Sequence, residues 1–355
     1  MMADNGLHVS STRPKKEMPM KIGLFCLVEK FDKSVHVSMK EQIELVELAE
    51  ELGFDEAWFG EHHFNGFSVI PDPSLLLSYA AAKTKNIRLG TAGFLAPFYD
   101  PIRLAESINV LDNLSDGRID AGFAKGGFAA DNKHFLKNAD ELRELMFGNV
   151  VAIDALINQH KSLYQSKYIS FENINLQPKK IQEKIPFYIA TFSSPQTIVF
   201  AARRGYGLMV SQGVSIEDCK SMQELYKQTA GYYPQIVMLR VFCVADTKEK
   251  ALSIARPTID HFIKSMQAAS SSTIQPKWDH ENYKKLLDER YEFFNGDNFL
   301  NNAILGTVED CIEDIHEITK EVKNVHLALK PSSSDFETNC SMLKIFNSKI
   351  KPNLK

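Results

Sequence analysis

The chain has 355 residues, of which 44% are hydrophobic, 24% charged and 10% aromatic, proportions of a large globular domain and not of a disordered chain. A formal net charge of −4 without any long Lys/Arg block argues against nucleic acid or an anionic membrane surface as partner, and small molecules are expected instead. No apolar run approaches the roughly 18 residues a membrane span needs, and the five cysteines (Cys26, Cys219, Cys243, Cys311, Cys340) stand singly, as reduced thiols of a cytoplasmic protein do rather than as a zinc site or disulfide framework.

Residues 1–19, MMADNGLHVSSTRPKKEMP, are polar and lack the apolar stretch of a secretory signal. They read as a floppy leader before one domain over residues 20–355. Lys21 to Val28 is a short apolar run of the kind that makes a strand buried on both faces. Ser38 then stands before an apolar spacing (Ile43, Val46, Leu48, Leu52) that predicts a helix from Met39, stopped by Gly53. Glu56–Gly60 with the helix Ser74–Lys83 predicts a second strand and helix. Arg88–Phe94 with a helix after Pro101 predicts a third, and Arg118–Ala124 with a helix around Asp140–Asn158 a fourth. These later strands begin about 31 residues apart, the repeat of a strand, a helix and two short loops. LYQSKYISFENINL (Leu163 to Leu176) alternates like an inserted hairpin. Pro186–Ala190, Gly207–Val210, Ile236–Val244 and finally Val325–Lys330 continue the series to eight strands. Strand–helix alternation predicts a parallel sheet, and eight repeats let it close: an α/β fold of the (β/α)8, or TIM-barrel, type. Ala269 to Asn302 breaks the rhythm and is either a lid or a surface insertion.

Catalytic groups of such barrels lie where the strands end, which directs attention to Glu61-His62-His63-Phe64 after the second strand. A metal is not expected there, because adjacent histidines on extended chain point oppositely and no further spacing completes a ligand set. His63 reads equally as a hydrogen-bonded core residue. In Thr191-Phe-Ser-Ser-Pro-Gln-Thr197, Pro195 suits a first helical turn, leaving Ser193, Ser194 and Thr197 either to hold a phosphate with free backbone amides or, for the serines, simply to cap the helix. Lys125, followed by two glycines, adds a cation at the same rim, and Leu89-Gly-Thr-Ala-Gly93 leaves room for a flat ring against bare backbone. Phe64, Phe67, Phe94, Phe98 and Phe128 near the rim suggest an apolar substrate, or core packing.

The segments GLF near the start, LGFDEAWFGEHHF (Leu52 to Phe64), IRLGTAG (Ile87 to Gly93), LDNLSDGRIDAGFAKG (Leu111 to Gly126) and ILGTVEDCIEDI (Ile304 to Ile315) together resemble the bacterial luciferase family of flavin-dependent monooxygenases. The resemblance runs from Met20 onward. It implies the barrel, the use of reduced FMN and dioxygen, and a separate flavin reductase as donor of the reduced FMN. It further implies a catalytic role for His62, phosphate contacts from Ser194 and Thr197, and a non-proline cis peptide between Ala92 and Gly93 beneath the flavin ring. Lys125 stands where the luciferase catalytic subunit has arginine, Ser193 where it has glutamate and Ala124 where it has a reactive cysteine. Those departures put light emission and tight FMN binding in question. The expected function is oxidation of an apolar small molecule such as a long-chain aldehyde, with Glu61, His63, Phe64 and Phe128 facing the substrate. The chain is expected as a homodimer or as a heterodimer with a sibling subunit. Two rival readings are an F420-dependent oxidoreductase of the same fold and a non-catalytic flavin-binding partner subunit.

Overall fold

The computed structural model describes residues 20–271 and 294–354. The expected leader lies outside the described residues, as does the middle of the expected lid. The strands in chain order are β1 (Lys21–Cys26), β2 (Glu56–Phe59), β3 (Arg88–Thr91), β4 (Phe94–Leu95), β5 (Ile119–Ala124), β6 (Tyr164–Gln165), β7 (Ser170–Phe171), β8 (Phe187–Ala190), β9 (Gly207–Val210), β10 (Ile236–Val244), β11 (Ile304–Gly306) and β12 (Val325–Pro331). Eight of them pair in parallel in the order β12-β1-β2-β3-β5-β8-β9-β10, and β10 pairs back onto β12, so the sheet closes. β6 and β7 form the separate antiparallel hairpin expected from the alternation at Leu163–Leu176. Two features depart from the expectation. The third strand is not continuous to Phe94 but breaks at a cis Ala92–Gly93 peptide, after which β4 pairs with β5. The short β11 is an extra strand that pairs only with the far end of β10, and three apolar residues are too few to stand out by period.

Outside the barrel run α1 (Val35–Glu51), α2 (Pro73–Lys83), α3 (Pro101–Leu114), α4 (Ala129–His134), α5 (Leu142–Ile157), α6 (Pro195–Arg204), α7 (Ile216–Ala230), α8 (Lys248–Ser271), α9 (Gly296–Asn301), α10 (Val308–Glu321) and α11 (Phe336–Ile345). Several starts follow local chemistry: Pro73 and Pro101 each sit at the first helical position behind a capping aspartate, Asp72 or Asp100. α1 corrects the expected boundary. Its cap is Ser34, whose hydroxyl accepts from Val37 N at 3.3 Å, and Ser38 is buried inside the helix. Val35 and Val37 are weak helix formers, and the Ser34 cap starts the helix ahead of them. α4 is an element the pattern did not reveal. The ends of the expected lid, Ala269–Ser271 and Gly296–Asn301, are helical.

The barrel interior is filled by side chains. Trp58 on β2 meets Tyr188 on β8 edge-on at 5.2 Å between ring centroids; these strands are not neighbours, so the contact crosses the lumen. Gly90 makes room for the indole, since a Cβ there would stand 2.3 Å from the Trp58 ring. At the amino ends of the strands a polar layer closes the barrel. Glu56 accepts from Lys21 Nζ and Trp58 Nε1, both at 2.9 Å, and contacts His326 Nδ1 at 3.0 Å, while Arg88 pairs with Asp120 at 2.7 Å. Among the described residues no helix is long and apolar enough to cross a membrane.

Candidate active site

The carboxyl ends of the barrel strands and the loops after them surround a cavity of about 700 Å³, within the roughly 300–1,000 Å³ that small-molecule sites occupy. Of the residues named from sequence, Glu61, His62, Ala92, Gly93, Lys125, Phe128, Ser193, Ser194 and Thr197 all line it. Segments more than 130 positions apart in the chain, from His62 to Thr197, therefore meet around one cavity.

His62 follows β2 and is half-buried, its ring 6.3 Å from that of Phe128. The imidazole makes no hydrogen bond to a described residue. Burial, with His63 adding positive potential, pushes its pKa down to about 4, so at neutral pH it is uncharged and able to accept or share a proton. Its backbone is anchored by a 2.9 Å bond from His62 N to Ile70 O.

Two neighbours are corrected, and a third borders the cavity while bonded to protein. His63 does not line the cavity: its Nε2 meets Glu61 Oε1 at 2.8 Å and its ring lies edge-on to Phe135 at 4.8 Å. This is the packed, hydrogen-bonded alternative that the sequence left open. Phe64 adopts a φ of 51° and is 61% exposed, turned toward His134 and Phe135 instead of the cavity. The chain reversal at Phe64 and the unforeseen α4 explain why its position in sequence misled. Glu61 borders the cavity but is committed to protein. It accepts from Leu95 N at 3.1 Å and Tyr99 Oη at 2.9 Å besides the contact with His63. Burial raises its pKa while these bonds oppose the rise. It braces the loop carrying His62 against the segment after the cis peptide while bordering the cavity.

The opposite part of the wall is polar and cationic. Ser194 occupies the cap position of α6 but its side chain does not cap, since its Oγ donates to Gln196 Oε1 at 3.1 Å. The helix end is thus open toward the cavity, beside the exposed Ser193 and the buried Thr197. Lys125, after β5, and Arg143, in the first turn of α5, bring two cations to the same cavity. Arg143 was not singled out from the sequence. The available signal was a cation in a first helical turn, where the helix dipole opposes it. Between the histidine and the cations lies the Ala92–Gly93 peptide, and a Cβ on Gly93 would approach the Gly122 backbone to 2.7 Å. Three hydroxyls, two cations and an open helix start fit a phosphate group, and the glycine surface fits the close approach of a flat ring.

The cavity also has an apolar lining, supplied by Phe25 and Leu27 from β1 and its loop, Leu239 from β10, and Phe262, Met266 and Phe294, with Thr191, Gln196, Ser211 and Gln212 as further polar residues. Of the phenylalanines suggested by sequence only Phe128 belongs to it. Phe67 and Phe94 are core, and Phe98 stacks on Phe135 at 5.0 Å. Among the described residues no group of three His, Cys, Asp or Glu side chains is arranged to hold a metal.

Comparison with known proteins agrees with this architecture. The alkanal monooxygenase alpha chain of a Kryptophanaron alfredi symbiont is 28% identical over 89% of this chain and 93% of its own. The oxygenase component of the flavin-dependent trigonelline monooxygenase of Acinetobacter baylyi is 26% identical over 77% of this chain and 78% of its own. Among solved structures, the monooxygenase RslO1 from Streptomyces bottropensis superposes with a TM-score of 0.79 at 25% identity, covering 95% of this chain and all of the other. The oxygenating constituent of 3,6-diketocamphane monooxygenase from Pseudomonas putida in complex with FMN and an F420-dependent secondary alcohol dehydrogenase each give 0.72, at 18% and 19% identity, and share the fold. The family model described as luciferase-like monooxygenase matches residues 20–322, nearly all of the barrel, and the chain therefore belongs to the luciferase-like, flavin-dependent monooxygenases.

Proposed function

We propose that this chain is the oxygenase half of a two-component system, taking reduced FMN from a separate reductase and using dioxygen to oxidise an apolar small molecule. The observation that carries the reading is the single cavity that joins a neutral imidazole at His62, the bare Ala92–Gly93 surface and the cationic, hydroxyl-rich start of α6. A cavity that holds these parts suits a ligand with a flat ring and a phosphate. Lys125, Arg143, Ser193, Ser194 and Thr197 hold the phosphate, and Ala92, Gly93 and Phe128 border the ring. Bound reduced FMN supplies the two electrons with which dioxygen is split, one oxygen atom going to the substrate and the other to water. His62 holds or delivers a proton at its imidazole nitrogens, and its neutral state at pH 7 leaves both directions open. Apolar walls exclude water from the reacting region. The name of the trigonelline enzyme, an oxygenase component, supports a partner reductase, and the alkanal monooxygenases support a long-chain aldehyde as a substrate to try first.

The test is a titration with oxidised FMN, followed by fluorescence quenching, in parallel with turnover by the chain plus a flavin reductase, NADH and decanal. The wild type is expected to quench FMN and consume oxygen by itself. His62→Ala is expected to keep FMN affinity within about twofold and to lose turnover by a factor of roughly 10² or more. Quenching of F420 with none of FMN, or undiminished turnover in the variant, rejects the reading.

A further inference from the structure

The loop that presents His62 is pinned on both sides of the histidine by one carboxylate. Glu61, 3% exposed, meets His63 Nε2 with Oε1 at 2.8 Å, while its Oε2 accepts from Leu95 N at 3.1 Å and from Tyr99 Oη at 2.9 Å. The residues before and after His62 are thereby tied to each other and to the segment that follows the Ala92–Gly93 surface. His62 itself adds one main-chain bond, from its N to Ile70 O at 2.9 Å.

Tyr99 is the far end of this bracket and does not line the cavity. It is itself held in place. Asn149, 4% exposed on α5, donates its amide to Ala96 O at 2.9 Å and to Tyr99 O at 3.3 Å, and the phenol ring lies edge-on to Phe94 at 5.7 Å. Burial and the neighbouring Glu61 charge push the phenol pKa up, so the hydroxyl stays a donor throughout the working pH range. Because α5 also carries Arg143, the histidine loop, the ring surface and one cation of the cavity share a single hydrogen-bonded frame.

We propose that Tyr99 is a positioning residue for the reaction: through Glu61, its hydroxyl locks the loop that presents His62 to the segment that presents the Ala92–Gly93 surface. This goes beyond the reading of the cavity given above and rests on it for the identity of the reaction. The consequence is a dependence on pH carried by Glu61. Burial pushes the Glu61 pKa up, and the bonds with His63, Leu95 and Tyr99 oppose the rise because they favour the ionised form. The titratable and charged groups around the carboxylate are His63 on its own loop and Tyr99 on the segment after β4; His62, Lys125 and Arg143 line the same cavity, and Asp72 acts on Tyr99. Removing the phenol hydroxyl leaves the others in place and takes away one donor, so Glu61 gains its proton at a higher pH than in the wild type. A protonated carboxyl accepts fewer hydrogen bonds, and the bracket opens as the pH falls.

The experiment compares the wild type, Tyr99→Phe, Glu61→Gln and the double variant in two ways. One is kcat and KM against pH, with a flavin reductase, NADH, FMN and decanal. The other is NMR of the full chain without flavin, with isotope-labelled histidine and the His62 ring signal assigned by its loss in His62→Ala. Tyr99→Phe is expected to stay within about threefold of the wild-type kcat at about pH 8 and to lose about tenfold or more at about pH 6, with KM and the FMN dissociation constant unchanged within about twofold. At the lower pH its His62 signal is expected to depart from that of the wild type, while the His326 signals of the two proteins coincide. In the Glu61→Gln background the same replacement is expected to add no loss that depends on pH, since an amide does not titrate. Tyr99→Met, which fills the space without a donor, serves where the phenylalanine variant fails to fold. No loss at the lower pH, a loss equal at both, or one that persists undiminished in the Glu61→Gln background overturns the proposal. So does a His62 signal that is the same in both proteins, and so does a parallel loss of FMN affinity, which assigns Tyr99 to the cofactor site. Absence of turnover by the wild type with FMN sinks the flavin reading only, because the His62 signal is read without flavin and still decides the role of Tyr99.

Discussion

At position 62 burial keeps the imidazole uncharged at neutral pH. The pKa of about 4 lies below the ordinary histidine value, so the unfolded chain takes up a proton between about pH 6.5 and 4 that the folded one refuses. Stability is therefore whole above pH 6.5 and falls as the pH drops toward 4; His62→Gln is expected to flatten that part of a plot of Tm against pH. Activity is expected to show no acid limb from His62 above about pH 5, which a kcat/KM profile reads directly. At the other end of the cavity, Arg143→Ala is expected to weaken FMN by about tenfold or more, the worth of a charge-assisted hydrogen bond. Riboflavin, which lacks the phosphate, is expected to bind both proteins alike, and an equal loss for both flavins contradicts a phosphate contact. That His62, Ser194 and Thr197 line the cavity was legible because they stand inside recognisable strings. The presence of Arg143 in the same lining was not, since it is a single polar residue outside any such string.

Helix and strand boundaries show where local rules speak and where packing overrules them. The prolines behind Asp72 and Asp100 marked α2 and α3 within a residue or two, because a fixed φ and a side-chain acceptor are local properties. α1 was placed four residues late, since Ser38 looks like a cap and is instead a buried residue in the helix that Ser34 caps. At α10 the cap is reciprocal: Thr307 Oγ1 accepts from Asp310 N at 3.2 Å and Asp310 Oδ2 accepts from Thr307 N at 2.8 Å. Thr307→Ala is expected to cost about 1 kcal/mol in urea unfolding, with FMN affinity unchanged because no part of this cap lines the cavity.

For the whole molecule, closure of the sheet divides the barrel into a polar lower layer, an aromatic middle and a ligand cavity above. Glu56 ties three strands of the lower layer through Lys21, Trp58 and His326. Despite its burial, contact with His326 and Lys21 brings its pKa down to about 2. Its contribution to stability is thus complete above about pH 4.5 and lost as the pH falls through 2. Glu56→Gln is expected to lower stability by roughly 3 kcal/mol at pH 7, as when a buried ion pair loses one member. The urea midpoint of the variant is expected to change less between pH 5 and 3 than that of the wild type; parallel curves contradict a charged Glu56.

Alternation of apolar runs and amphipathic stretches determined, from the sequence by itself, that strands and helices follow one another eight times, because period and punctuation are properties of neighbouring residues. The strings around Glu61–Phe64 and Thr191–Thr197 likewise marked the ends of strands around which the cavity opens. Only the tertiary structure decided which side chains of those strings face the cavity: it turned Phe64 outward through a φ of 51°, engaged His63 and Glu61 with each other, and brought Arg143 and Gln212 in from elements far along the chain. The physical reason is that a side chain's direction depends on backbone torsion and on what packs against it from elsewhere, neither of which a local pattern encodes.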